Sequence, residues 1–242
     1  MSYNSHTHLV VIPTYNEIDN ISEFIDQVTR IDVAILIVDD NSPDGTGELV
    51  EHIMTNNNQI FLLKRSEKLG LGSAYRDGFE WGLRNGFTNL IEMDADFSHS
   101  FDDLKKLLEK SSDFDVVIGS RYVNGGGSVG WDRKRKILSS FANKFSKLLL
   151  RTKICDMTSG FRCYSKLALT SISYNTTKSD GYAFQVEMSL RSTVKELSII
   201  EVPIIFNERR LGKSKMSKKI VNEALIFLIK NGIKRWLNLK IF

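Results

Sequence analysis

The feature that most constrains this chain is a set of short, unbroken apolar runs, each followed by residues at helical spacing. The runs are Leu9-Val10-Val11-Ile12, Ala34-Ile35-Leu36-Ile37-Val38, Ile60-Phe61-Leu62-Leu63, Asn89-Leu90-Ile91-Glu92-Met93 and Asp115-Val116-Val117-Ile118. A run without polar alternation suits a strand covered on both faces. The first gap holds Ile18, Ile21, Phe24, Ile25 and Val28. The second holds Leu49, Val50 and Ile53 behind Asp44, a candidate cap. Ala74, Phe79, Trp81 and Leu83 predict a third helix of less regular pattern, and Leu104 to Leu108 a fourth. Strands alternating with helices predict an α/β fold, a mostly parallel sheet flanked by helices and joined by right-handed crossovers.

The alternation fades after Tyr122. Asn124-Gly125-Gly126-Gly127-Ser128 reads as a flexible loop. An amphipathic helix is expected from Lys134 to Leu150, and a further strand over Glu201-Val202-Pro203-Ile204-Ile205-Phe206. From about Ser217 the apolar residues Ile220, Val221, Ala224, Leu225, Leu228 and Ile229 predict a C-terminal amphipathic helix. No apolar stretch reaches the roughly 18–20 residues of a spanning helix. Met1 to His8 is polar and carries no signal core. Cys155 and Cys163 form no CxxC pair, which fits a reducing, cytoplasmic setting and two buried small hydrophobes.

Charge is divided along the chain. Residues 1–130 hold 10 Lys/Arg against 21 Asp/Glu, and residues 131–242 hold 23 against 8. The basic half predicts an anionic partner, such as a membrane surface or a phosphorylated substrate.

Open parallel sheets bind ligands beyond the carboxyl ends of their strands. Here those ends carry Pro13-Thr14-Tyr15-Asn16-Glu17, Asp39-Asp40-Asn41-Ser42, Asp94-Ala95-Asp96 and Gly119-Ser120-Arg121-Tyr122. An isolated Asp-x-Asp is usually a solvated turn. Four polar ends along one sheet edge make a site. Two carboxylates so close repel one another unless a cation joins them, and hard oxygen ligands select Mg²⁺ or Mn²⁺ with phosphate completing the shell. A nucleotide diphosphate is the natural occupant, with Asp40 reading base or ribose and Tyr15 covering the base. Lys68-Leu69-Gly70-Leu71-Gly72-Ser73-Ala74 lacks the third glycine of a dinucleotide fingerprint, since position 75 is tyrosine. A helix N-terminus close under a nucleotide remains.

Together, Val11 to Glu17, Val38 to Thr46, Gly70-Leu71-Gly72, Asp94-Ala95-Asp96 and Gly119 to Tyr122 resemble the inverting family 2 glycosyltransferases. Arg133-Lys134-Arg135-Lys136, Asp156 to Arg162 and Gly212-Lys213-Ser214-Lys215 narrow the resemblance to the dolichyl- or polyprenyl-phosphate mannosyltransferases. The resemblance implies the GT-A fold, a Rossmann-like sheet, in a single domain over residues 1–242. Residues 9–122 would be its nucleotide-sugar half and 123–242 its acceptor- and membrane-facing half. It implies that Pro13, Tyr15, Glu17, Val38 and Asp40 hold the nucleotide. Asp94 and Ala95 would sit at the ribose and diphosphate, and Asp94, Asp96 and Ser98 at the metal, where some relatives have glutamine in place of Ser98. Arg121, Arg209 and Lys215 would contact phosphates, with Asp94, Asp96 and Arg121 central to catalysis. The implied partners are GDP-mannose, a dolichyl or polyprenyl phosphate, the cytoplasmic membrane surface and small membrane-anchoring subunits, with no nucleic acid.

Arg133, Arg135 and Ser139 are the candidates for the acceptor phosphate. A phosphate is already ionised at pH 7, so its transfer needs no general base; His99 is therefore expected to be structural. His6, His8 and His52 read as surface residues, and Asp156 with Arg162 as a structural pair. UDP-glucose in place of GDP-mannose, sugar-nucleotide binding without catalysis and nucleotidyl transfer remain as alternatives. A nucleic-acid module would explain the basic half and not the acidic strand ends.

Overall fold

The computed structural model describes residues 7–208 and 218–242. Five strands follow the predicted runs: β1 (His8–Thr14), β2 (Ala34–Asp39), β3 (Ile60–Lys64), β4 (Asn89–Glu92) and β5 (Val116–Ser120). Four helices lie between them: α1 (Ile18–Val28), α2 (Thr46–Met54), α3 (Leu71–Arg84) and α4 (Phe101–Lys110). The rest of the described chain forms β6 (Gly127–Val129), α5 (Arg133–Leu149), β7 (Arg162–Ser165), α6 (Lys166–Ile172), α7 (Gly181–Val194), β8 (Ile199–Pro203), β9 (Ile205–Asn207) and α8 (Lys218–Trp236).

One sheet runs in the order β3-β2-β1-β4-β7-β5-β8. Every pairing is parallel except those of β7, which is antiparallel to both β4 and β5. The apolar runs are buried on both faces because helices cover both. Along β1, Leu9 and Val11 enter a core shared with Phe79, Tyr164 and Phe184. Val10 and Ile12 enter the opposite one, with Phe24, Leu104 and Phe161. The irregular pattern of α3 has a physical cause. Its buried face mixes three glycines and an alanine with Tyr75 and Phe79, and a side chain at Gly78 would run into Val11, one at Gly82 into Leu9 and Leu90.

Several expectations are corrected. The glycine-rich stretch is not wholly loop, because Gly127–Val129 pairs in parallel with β9. The strand expected over 201–206 is two strands, broken at Ile204. Asp44 does not stand at the N-cap of α2, which is Gly45, but its carboxylate accepts the Thr46 N–H and hydroxyl and reaches the Ile18 N–H. His8 is buried and bonds Thr7 and Ser111, and His6 lies outside the described residues. Cys163 is buried as expected, whereas half-buried Cys155 accepts from Lys147 Nζ at 3.1 Å. Asp156 and Arg162 do not pair through their side chains. Asp156 holds Arg121, and Arg162 spends its guanidinium on the carbonyls of Asp156, Met157, Ser159 and Gln185 and the hydroxyls of Tyr164 and Ser189.

Helix α5 is inside out. It buries Asn143 and Ser146 and exposes Ile137, Leu138, Phe141 and Leu148 at 65–70%. Asn143 accepts the Met157 N–H at 2.8 Å and donates to Thr158 Oγ1 at 3.3 Å, so its burial is compensated by hydrogen bonds. The apolar stripe faces away from the core.

Candidate active site

The strand tips of β1, β4 and β5 open into one cavity of about 320 Å³. β1 delivers Pro13 and Glu17, β4 delivers Asp94, Ala95 and Asp96, and β5 delivers Arg121. The start of α3 contributes Gly70 and Leu71, and the start of α7 contributes Gly181, Tyr182 and Gln185. Trp131 and Arg135 close it from the α5 side. Seven of the sequence candidates thus meet: Pro13, Glu17, Asp94, Ala95, Asp96, Arg121 and Arg135.

The acidic turn after β4 is held by its own backbone. Asp96 Oδ1 accepts the Ser98 N–H at 3.0 Å, and Phe97, in left-handed conformation, packs its ring on Phe24 and Phe101. This turn sends Ser98 inward. Its side chain is fully buried, its hydroxyl bonds nothing among the described residues, and it does not line the cavity. His99 follows and does line the cavity, stacked on Phe161 at 4.5 Å with Nε2 3.9 Å from Asp94 Oδ2. Burial pushes its pKa down to about 4, so the ring is neutral at pH 7.

Arg121 is buried at the opposite wall. Its Nε and Nη2 donate to the two Asp156 oxygens at 2.8 and 2.7 Å, and Nη2 also donates to Thr158 Oγ1 at 2.8 Å. The rings of Tyr122, Trp131 and Phe206 stand 5.4, 5.3 and 5.6 Å from the guanidinium carbon. Burial alone would lower its pKa, but the Asp156 charge and hydrogen bonds raise it further. Arg135 lies over Trp131 at 4.2 Å and pairs with Glu208 at 3.0 Å.

Other candidates stand around the cavity rather than in it. Tyr15 carries Lys68 Nζ 3.8 Å over its ring, and Lys68 itself lines the cavity. Asp40 is buried beside Arg65 at 3.1 Å, with its pKa raised by burial against that charge. The Val38 side chain belongs to the core behind Gly78 and does not line the cavity. Arg133 is exposed and Ser139 accepts from the Tyr122 hydroxyl at 2.7 Å; neither lines the cavity. Arg209 and Lys215 lie outside the described residues.

Sequence reasoning placed Lys68, Ser159 and Gly160 in its motifs without giving them a role, and gave none to Trp131, Asp180, Tyr182, Gln185 or Phe206; all eight line the cavity. Asp180 Oδ1 accepts the Gly72 N–H at 2.6 Å and ties the start of α7 to that of α3. The short distance leaves no room for a side chain at Gly70, which would strike Asp180. That glycine pair was the one available signal.

A model described as Glycosyl transferase family 2 matches residues 9–172. The chain is 43% identical over 230 residues to the polyprenol monophosphomannose synthase of Mycolicibacterium smegmatis, covering 93% of this chain and 87% of that protein. It is 42% identical over 237 residues to the undecaprenyl-phosphate mannosyltransferase of Micrococcus luteus, covering 96% and 97%. Among solved structures, a mannosyltransferase from Pyrobaculum calidifontis in complex with GDP-Man and Mn²⁺ superposes with a TM-score of 0.60 at 15% identity, covering 99% of this chain and 66% of that one. The S. aureus TarS fragment in complex with UDP gives 0.61 at 18% identity, covering 98% and 67%. At these identities the likeness is one of fold, and the fold is GT-A. Matched by the family model over residues 9–172 and by relatives along nearly its whole length, the chain belongs to glycosyl transferase family 2.

Proposed function

We propose that this glycosyltransferase moves mannose from GDP-mannose to a polyprenyl monophosphate with inversion at the anomeric carbon. One observation carries the reading: the carboxylates Glu17, Asp94 and Asp96 and the cations Lys68, Arg121 and Arg135 line a single cavity. Relatives named for mannosyl transfer to polyprenol and undecaprenyl phosphate support the substrates.

Asp94 and Asp96 fit a hard divalent cation. Both are carboxylates on one cavity-lining turn, and no cluster of three or more His, Cys, Asp or Glu suited to a metal exists among the described residues. Two protein carboxylates with phosphate completing the shell are the habit of Mg²⁺. Bound there, Mg²⁺ or Mn²⁺ neutralises the charge that develops on the leaving diphosphate. The chain's own residues do the rest. Glu17, Lys68 and the Gly70–Leu71 turn surround the nucleotide end. Arg135 draws the acceptor phosphate in, and Arg121, paired with Asp156, lines the cavity with it. Neutral His99 takes no proton, and none needs to be taken, because the attacking oxygen is anionic.

Purified protein incubated with GDP-mannose, UDP-glucose and other nucleotide sugars, a polyprenyl phosphate and Mn²⁺ should yield a lipid-phosphate mannose by mass. Release of pyrophosphate, or no glycolipid from any donor, would refute the reading. Within it, Arg135→Ala should raise KM for the lipid about tenfold, the value of one charge-assisted hydrogen bond, and leave donor KM within about twofold. Arg133→Ala, outside the cavity, should change lipid KM by less than about threefold. Equal effects on both substrates would remove Arg135 from the acceptor.

No helix of the described residues is long and apolar enough to cross a membrane. The exposed stripe of α5, with Leu225, Ile226, Ile229, Ile233 and Trp236 of the adjoining α8, supports peripheral binding to a lipid surface. Exposed Arg133, Lys134, Lys136 and Lys144 accompany the stripe, and each basic residue near an anionic surface adds about 1 kcal/mol. Phe141→Ser with Leu148→Ser should cut flotation with anionic vesicles by about tenfold or more. If the wild type ignores vesicles and stays with cell membranes, a small membrane-anchoring subunit occupies the face instead.

A further inference from the structure

Three side chains in the cavity carry buried polar atoms that bond nothing among the described residues: Gln185 Oε1, Trp131 Nε1 and both ring nitrogens of His99. Buried polar atoms of this kind are rare in native proteins, and each calls for an occupant. Gln185 is the most constrained. It is 2% exposed and sits one turn into α7. Its Nε2 donates to Glu92 Oε2 at 2.8 Å. Its backbone carbonyl accepts from Arg162 Nη1 and Ser189 Oγ. Backbone and half of the amide are therefore fixed, and the other half is left over in a side chain that lines the cavity.

The chemistry of that leftover group excludes most of a donor–acceptor pair. A phosphate offers only acceptor oxygens at pH 7 and is served by cations, which stand at Arg121 and Arg135. A polyprenyl tail offers no hydrogen bond. The base belongs with Tyr15, Asp40 and Lys68 at the tips of β1 and β2. A sugar hydroxyl both donates and accepts, so it satisfies a neutral amide whichever of its atoms is free. β4 ends at Glu92, so the residue that anchors Gln185 lies two positions before Asp94, and the amide lies close under the acidic turn.

Resting on the mannosyl-transfer reading above, we infer that Gln185, held by Glu92, reads a hydroxyl of the transferred hexose and is a specificity-determining residue of the donor site. Trp131 and His99 supply further hydrogen-bonding groups to the same polyol. A site that hydrogen-bonds a substrate hydroxyl rejects analogues lacking it far better than an apolar pocket rejects an extra group.

The test is calorimetric titration of GDP and of GDP-mannose, each with Mn²⁺, into wild type and Gln185→Met. Methionine keeps the volume and removes both polar atoms. GDP-mannose affinity should fall about tenfold or more while GDP affinity stays within about twofold, since GDP carries no hexose. A purely structural amide would weaken both alike or neither, and an unchanged ratio of the two affinities overturns the inference. Wild type should also lose about tenfold toward one monodeoxy-mannose donor, and that analogue should lose nothing further in Gln185→Met. If the variant does not fold, the deoxy series on wild type decides alone: no tenfold loss at any hydroxyl refutes the assignment. Wild type that binds GDP but gains nothing from any hexose would bring down the donor reading itself, and the inference with it.

Discussion

Asp96→Asn is expected to lower turnover by about 10³-fold or more while leaving the protein folded. Asparagine keeps an oxygen that can still accept the Ser98 N–H now bonded at 3.0 Å, so the turn after β4 survives. What is lost is one negative charge at a buried point of the cavity wall. On the proposed reading that charge helps to hold the divalent cation. The variant should therefore bind Mn²⁺ weakly by titration, unfold at nearly the wild-type temperature, and resist rescue except at high metal. A chelator should silence wild type and, on metal return, restore it. Wild-type rates in Asp96→Asn, or in chelated protein, would remove the metal from the mechanism.

The second large effect belongs to Asp156, which touches no proposed ligand. Its carboxylate accepts the Arg121 backbone N–H, Nε and Nη2, and its own N–H is tied to Glu201 Oε1 at 2.9 Å. Both side chains of the pair are buried, 7% and 0% exposed. Removing one partner strands the other charge, which typically costs about 3–5 kcal/mol. Asp156→Ala should lose that much by urea unfolding, and turnover should collapse with the freed Arg121. The pH dependence has a definite sign. Burial raises the Asp156 pKa, but the charge and hydrogen bonds of Arg121 outweigh it, and the net shift is downward. The contribution is thus fully present above the unfolded value of about 3.9 and is lost only as pH falls through the lower folded value. Wild type and Asp156→Asn should therefore differ by a constant amount above about pH 4 and converge as pH falls below it. Equal stability at pH 7 would show that the pair is not what fixes this wall.

Much of this molecule is legible in its sequence. The five apolar runs lack alternation because helices cover both faces of the sheet, so burial on two sides writes itself into the sequence. The strand-tip rule then collected Glu17, Asp94, Asp96 and Arg121 from three separate motifs. What stayed hidden has physical causes. β7 is four residues long, Arg-Cys-Tyr-Ser, too short and too mixed to show a period. The stripe of α5 is plain in the sequence, but periodicity gives a stripe and not the side on which it falls; only Asn143 bonding the Met157–Thr158 loop decides that. Val38 and Ser98 stand beside functional residues with side chains turned to the core, a matter of strand parity and of one left-handed residue at Phe97. Gln185, Trp131 and Phe206 reach the cavity from distant segments, and nothing local marks them.

The reversed strand β7 has a consequence for scale. Neighbouring strands lie about 4.8 Å apart, so inserting one between β4 and β5 sets their tips roughly 10 Å from each other. Because β7 runs backwards, that edge receives its beginning, the Ser159–Gly160 bend, instead of another outgoing loop. The spacer therefore acts as a ruler. It holds the Asp94 and Asp96 carboxylates and the Arg121 guanidinium on either side of that gap, and a sheet without β7 would draw the two walls in to about one strand spacing.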